Sequence, residues 1–496
     1  MEQKCLMDSH ALLEEDSHEG LQEIKTEITK RMRVKLLGYL IISMLGFSYL
    51  VLARHAGVSV PIFMVIQFVC LSFLMPKKKP LLMFIPMFVL SLNSFISANS
   101  IWRIPNFLVT IILFSIMGLW LVGDFSIKGK LAGFIYKIIE NIFKPFMHFP
   151  IPLSWCSEIN KERSTTIKRV LLGIGISIPL LLFILVMLAA ADEIFLHSVA
   201  DFSRTILTLI RIDRIFRIKL GVVAGFYLFG ITYLVHTYKP KQGVSTYKNS
   251  INGDLIVINI VLGSILTIYT VFVAIQFRYL FAGADNLPYG LNYVEYARRG
   301  FFELLFLTGV NIAIILIAVW LTKEQKSKGA KFSKALCGYL CVVTMILLVS
   351  SFYRMWLYSS EYGLTRLRFL VFGFLAFEAI GLVFTLFYIK KPKFNIIAVY
   401  SVIALTYYLM LNIVPMDWVV ARNQVDRYFA SESGGITYLL TLSADAAGQI
   451  ARLNESNNQE THLRIAAYYD RLHLSEGGWR QWNLSTNRAQ RYGDQQ

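Results

Sequence analysis

Long apolar runs separated by short charged gaps organise this chain. At about 1.5 Å of rise per helical residue, a run of roughly 17–25 residues crosses about 30 Å of hydrocarbon. Runs that read as spans are Leu36–Ala53, Val60–Met75, Leu81–Ala98, Pro105–Val122, Val170–Ala190, Ile218–His236, Leu255–Gln276, Phe302–Leu321, Ala335–Tyr353, Phe369–Ile389 and Asn395–Val414. The pattern predicts an all-α polytopic transmembrane helix bundle of about 11 spans, with ten and twelve as its bounds. It divides the chain into an N-terminal tail (1–35), four spans (36–122), a polar interval (123–169), seven spans with polar loops (170–414) and a helical tail (415–496).

Two intervals repeat apolar residues at helical spacing without being long enough to span. In Lys128–Met147 the residues Leu131, Phe134, Ile135, Ile138, Ile139, Ile142, Phe143 and Phe146 fall on one side, and Lys128, Lys130, Lys137 and Lys144 lie opposite or beside it. That predicts a helix lying in the membrane interface or one packed on the bundle. Ile194–Phe216 carries a similar pattern with Arg204, Arg211, Arg214 and Arg217. In the tail, Ser443 is a candidate N-cap for Ala444–Asn454, with Asp445 in the first turn, where the helix dipole favours a carboxylate. Leu463–Leu474 and Trp479–Tyr492 read as further helices.

Composition agrees with lipid as the solvent. The 496 residues are 55% hydrophobic and 16% charged, where a soluble domain holds roughly a quarter charged, and mean hydropathy is +0.54. The net charge of +17 does not imply nucleic acid, because the basic residues cluster at the ends of apolar runs, where they anchor helices against an anionic leaflet. Nor does the polar start of the chain, with Glu14–Asp16 ahead of its first basic cluster, resemble a cleavable signal. With the N-terminus cytoplasmic, 24 of the 25 lysines face inward, Lys219 excepted, and the C-terminus lies outside. Positive residues retained on the inner side give that orientation its sense. The 82-residue tail holds eight arginines and no lysine.

Familiar catalytic chemistry is not visible. Cys337 and Cys341 are four apart on one helical face, a spacing that suits packing rather than zinc or redox chemistry. None of the eight histidines pairs at metal-ligand spacing, and no phosphate-cradling glycine loop is present. Gly173-Ile174-Gly175 reads as a helix-packing step. The expectation is therefore no catalytic residue, no metal and no cofactor.

What remains is a polar constellation at the expected outer ends: Asp192, Glu193, Glu295, Arg298, Arg299, Glu303, Arg354, Glu361, Arg366, Arg368, Asp417, Arg422, Asn423, Asp426 and Arg427. On a helix Glu295 would reach Arg298 and Arg299, and Arg299 would reach Glu303. This set reads either as a collar of ion pairs or as a site for an anionic ligand, held by Arg298, Arg299 and Arg366 with Glu303 and Glu361 beside them. Glu378 lies nine residues into the tenth span, about 14 Å deep by helical rise. A carboxylate at that depth is a candidate proton or ion relay, or else a packed group bonded to Asn311 or Asn412.

Several segments resemble a bacterial family known as domain of unknown function 4173: Ala191–Phe195 (ADEIF), Tyr296–Leu304 (YARRGFFEL), Arg354–Arg368 (RMWLYSSEYGLTRLR), Asp417–Arg427 (DWVVARNQVDR), Leu442–Ala446 (LSADA) and Trp479–Ala489 (WRQWNLSTNRA). The resemblance implies a multi-pass protein of a bacterial cytoplasmic membrane and supplies no activity. Three readings stand open. One is a membrane protein that binds or moves a small or lipidic anionic ligand, with Glu378 coupling protonation. Another is a transferase on lipid-linked envelope precursors that uses Asp192, Glu295, Glu303 or Glu361 as base. The third is a sensory scaffold whose tail meets an envelope protein. Membrane lipids are partners in all three.

Overall fold

The computed structural model describes residues 28–52, 57–123, 131–158, 177, 180, 184, 212–237, 253–280, 301–322, 324–392, 394–431, 436–473 and 478–493. Its helices are α1 (Lys30–Gly46), α2 (Ser59–Leu74), α3 (Phe84–Ile96), α4 (Arg103–Val122), α5 (Leu131–Phe143), α6 (Pro150–Glu158), α7 (Ile212–Thr237), α8 (Leu255–Leu280), α9 (Phe301–Thr322), α10 (Lys328–Tyr362), α11 (Arg366–Lys390) and α12 (Ile396–Ile413). The tail adds α13 (Met416–Ser431), α14 (Ile436–Leu439), α15 (Ala447–Ile450), α16 (Gln459–His473) and α17 (Leu484–Gly493). No strand occurs among the described residues.

Nine helical segments among the described residues are long and apolar enough to cross a membrane. They coincide with nine of the expected spans. The second, α2, is a shorter apolar helix of 16 residues, and most of the expected fifth, 170–190, lies outside the described residues. The protein is a polytopic helical membrane protein. Large apolar side chains such as Phe73, Phe306, Ile268 and Ile256 stand exposed on these helices, as lipid-facing positions must.

The chain forms two compact units, one of residues 1–85, 108–125 and 135–244, the other of residues 86–107, 126–134 and 245–496. In the first unit α1 and α7 pack at backbone distance. A side chain added at Gly225 would stand 2.8 Å from Met44 Cβ and 2.9 Å from Met44 Cα, and one at Gly221 would overlap Ser48. Gly221 and Gly225, four apart, form the small-residue step by which membrane helices approach closely. On α2, Gln67 is fully buried and accepts from Tyr39 Oη at 2.7 Å while donating to Ser43 Oγ at 3.2 Å. A polar side chain in that setting must be satisfied inside the protein.

The segment expected as an interfacial helix is α5 followed by a 3-10 turn, Lys144–His148. Asn141 donates to the Ser115 carbonyl at 2.8 Å, and Gly118 permits that approach. The Asn141 side therefore faces α4. Ile135, Ile139, Phe143, Phe146 and Met147 are exposed on the other side.

In the second unit α8 to α12 enclose a core that includes Ile315, Val319, Cys337, Leu340, Cys341, Leu347, Leu375 and Leu382. The two cysteines are buried among apolar neighbours, as their spacing predicts. A second core, built on Val420, Val425, Leu439, Ile450, Leu453, Ile465 and Tyr468, holds the tail together, with Ala98, Leu364, Phe369 and Leu370 packed on it.

Candidate functional site

Asp417 opens α13 and is completely buried. Its carboxylate accepts from both arms of the Arg366 guanidinium, Nε at 2.7 Å and Nη2 at 2.6 Å, and from the Ser443 amide at 2.9 Å and hydroxyl at 2.6 Å. Planar, two-pronged pairing of this kind is the strong form of an ion pair. Burial pushes the Asp417 carboxyl upward, but the bonds from Arg366 and Ser443 outweigh it and hold the group below the ordinary carboxylate value. Arg366 starts α11, behind the Thr365 cap, and its amide donates to Tyr438 Oη at 2.9 Å.

Ser443 departs from its expected role. It precedes the 3-10 turn Ala444–Ala446 without a side-chain capping bond, because its hydroxyl has turned to the buried carboxylate, a charged and stronger acceptor. Asp445 likewise does more than face a helix end. Its carboxylate accepts from the Ala98 amide at 2.8 Å and from the Ser97 hydroxyl. Burial pushes the Asp445 carboxyl above its ordinary value; bonds from Ser485, Ser97 and Ala98 offset this only in part, and the nearby Asp417 charge adds to it.

More ties bind the tail to helix ends of the same unit. Leu364 donates to Asn423 Oδ1 at 2.7 Å, Gln424 Nε2 donates to the Leu364 carbonyl at 2.8 Å, and Arg427 reaches the carbonyls of Ser360 and Glu361. Gly363 makes that approach possible: its φ is +72°, and a Cβ there would stand 2.5 Å from the Gln424 side chain. Asn483 donates to the Ser94 and Ser97 carbonyls.

Glu378 sits on α11 with 3% of its surface exposed. Thr308 on α9 donates to its Oε2 at 2.7 Å, and Oε1 lies 3.5 Å from where a Cβ on Gly309 would be. The expected amide partners bind elsewhere. Tyr269 Oη donates to Asn311 Oδ1 at 2.9 Å, and Asn412 accepts from Asn106 and Asn93. Asn311 is fully buried and its Nδ2 has no partner. A carboxyl and a hydroxyl thus meet in the bundle interior with Gly309 beside them, and Asn311 lies three residues beyond Thr308 on α9.

Among the sequence-derived candidates, Arg298 and Arg299 lie outside the described residues, as do Asp192, Glu193 and Glu295. Glu303 is exposed in the first turn of α9, and Glu361 is exposed near the end of α10. Arg366 meets Asp417, not Glu361 or Glu378. Sequence reasoning missed Thr308 as the partner of Glu378 and Ser443 as a ligand of Asp417. Hydroxyls are too common in helices to signal either. No group of metal-ligating side chains converges among the described residues.

Residues 84–453 match the family model described as Domain of unknown function (DUF4153). The expected number, 4173, is not the one matched; what holds of that expectation is a family of unknown function. Neither the curated proteins nor the solved structures give a match.

Proposed function

The chain belongs to the DUF4153 family, and on that premise we propose a multi-pass membrane protein that couples proton exchange at Glu378 to the binding or movement of a small anionic ligand. The observation carrying this reading is Glu378 itself: buried in an apolar bundle and bonded by one hydroxyl. Ionisable groups inside a membrane segment are costly to keep without a task. Arg298 and Arg299, with Glu303 and Glu361, are the proposed ligand contacts; Arg366 is assigned to the clamp on Asp417, which occupies its fork. The proposed setting is a bacterial cytoplasmic membrane, with the N-terminus inside and the tail outside.

The test is infrared difference spectroscopy of the reconstituted protein between pH 5 and pH 8. A carboxyl band that changes with pH in the wild type and is missing in Glu378→Gln supports the proposal. An identical difference spectrum in the two proteins removes the coupling role.

A further inference from the structure

One corner of the tail is tied to the end of a span. Asn483 is buried there and serves two helices at once. Its Oδ1 accepts from the Ser485 amide at 2.9 Å and the Thr486 amide at 3.1 Å, which caps α17. Its Nδ2 donates to the carbonyls of Ser94 at 2.8 Å and Ser97 at 2.7 Å. Those two carbonyls sit in the last turn of α3 and just beyond it, among the groups that a helix end leaves unpaired. A span end needs such partners from protein where lipid offers none. The start of α17 is thereby fixed to the end of a membrane helix.

Trp482 comes directly before that asparagine. Its ring lies 5.4 Å from the ring of Phe95 in the last turn of α3, so its depth is that of the span's end. The 3-10 turn Trp479–Gln481 is closed by the Trp482 amide on the Trp479 carbonyl at 3.2 Å. Residues three apart eclipse one another in such a turn, which sends both indoles to one side. Trp479 is 55% exposed and Trp482 41%. Ile96, Ile101 and Ile104, at the close of α3 and the start of α4, are exposed as well. Facing water, two held indoles and three isoleucines would be a surface in need of a cover. At the edge of the hydrocarbon the cover is the bilayer itself, and the indole suits that zone, with an apolar ring and a polar N–H.

We infer that the corner Gly478–Asn483 is a lipid-docking element of the tail. Trp479 and Trp482 lie at the boundary between headgroups and acyl chains of the leaflet on the tail's side, and Ile96, Ile101 and Ile104 meet the chains. Lipid is the occupant because this surface continues the lipid-facing end of α3: Trp482 packs on Phe95, and the exposed Ile96 is the next residue. The tail is then held to the membrane twice, through Asn483 and through its indoles, and neither hold requires a ligand at Glu378.

Fluorine NMR of the full-length protein, labelled with 5-fluorotryptophan and held in phosphatidylcholine nanodiscs whose two faces both meet solvent, reads each indole separately. The resonances missing from Trp482→Phe and from Trp479→Phe identify the two rings among the eight tryptophans, and phenylalanine at 482 keeps a ring against Phe95. Both wild-type resonances should be lost to broadening when the disc contains phosphatidylcholine with a nitroxide near the top of its acyl chain. Both should survive a water-soluble gadolinium chelate. A ring that loses its resonance to the chelate faces water, which overturns the docking and is the result expected of a surface awaiting a protein partner. A ring that keeps its resonance beside the nitroxide lipid also overturns it; retention under both probes in the pure protein makes the cover a second copy of this chain. Should Trp482→Phe fail to fold, Trp479→Phe assigns its own ring, and the same two outcomes decide.

Discussion

Replacing Asp417 with asparagine removes one charge from a buried pair and keeps the shape. The native carboxylate receives four bonds, two from Arg366 and two from Ser443. An amide in its place can accept through one oxygen only and would point its own NH2 at donors. Removing one partner of a buried ion pair costs about 3–5 kcal/mol. The guanidinium side is a quarter exposed, so water can reclaim part of it, and the lower end, about 3 kcal/mol, is expected. That corresponds to roughly a hundredfold easier opening of the tail, readable as faster amide exchange across 436–473. Arg366→Met alone should also weaken the tail, and the double variant should cost less than the two singles added together, because neither charge is then left stranded. The pH dependence has a fixed sign. Because the folded Asp417 lies below its unfolded value of 3.8, its contribution is complete above that value and disappears as pH falls through the folded one. Wild-type exchange rates in Asp417→Asn at neutral pH, or strictly additive single variants, would refute the clamp.

Asp445 has the opposite linkage. Its folded value is raised above 3.8, so tail stability falls as pH rises through it, and Asp445→Asn should cost more below pH 4 than at pH 8 in a thermal melt. Gly225→Leu forces a side chain into the Met44 backbone and should lower stability by about 1–3 kcal/mol, seen as a lower melting temperature in detergent. Gly38→Ala meets open space and should melt no lower than the wild type.

Hydropathy alone locates the spans because lipid imposes a length and a composition on each, whatever its neighbours. The same measure undercounts α10, whose 35 residues make a helix of about 52 Å; the apolar run ends near Tyr353, while the backbone continues as helix through the polar stretch to Tyr362. The close packing of α1 on α7 has a readable sign in Gly221 and Gly225. Pairings across long separations have none. Arg366 and Asp417 are 51 residues apart, and Asp417 by itself reads as an ordinary first-turn carboxylate. Glu378 is conspicuous for its depth in a span, but its partner is settled by how α9 and α11 face each other, and two asparagines looked better suited than Thr308. The lysines of α5 were legible as one face, and only packing shows that this face turns inward.

The ties between α3, the loop after it and the tail carry a consequence for how the protein is made. Asn93 bonds a carbonyl 319 residues later, and the Ser97–Asp445 and Ser94–Asn483 pairs span 348 and 389 residues. Helices that leave the ribosome earlier therefore make these bonds only once residues 412–483 have been translated. A premature stop after Ile413 would leave the described spans in place and still deprive Ser94 and Ser97 of their tail partners, so quality control would meet an inserted protein with an unfinished surface.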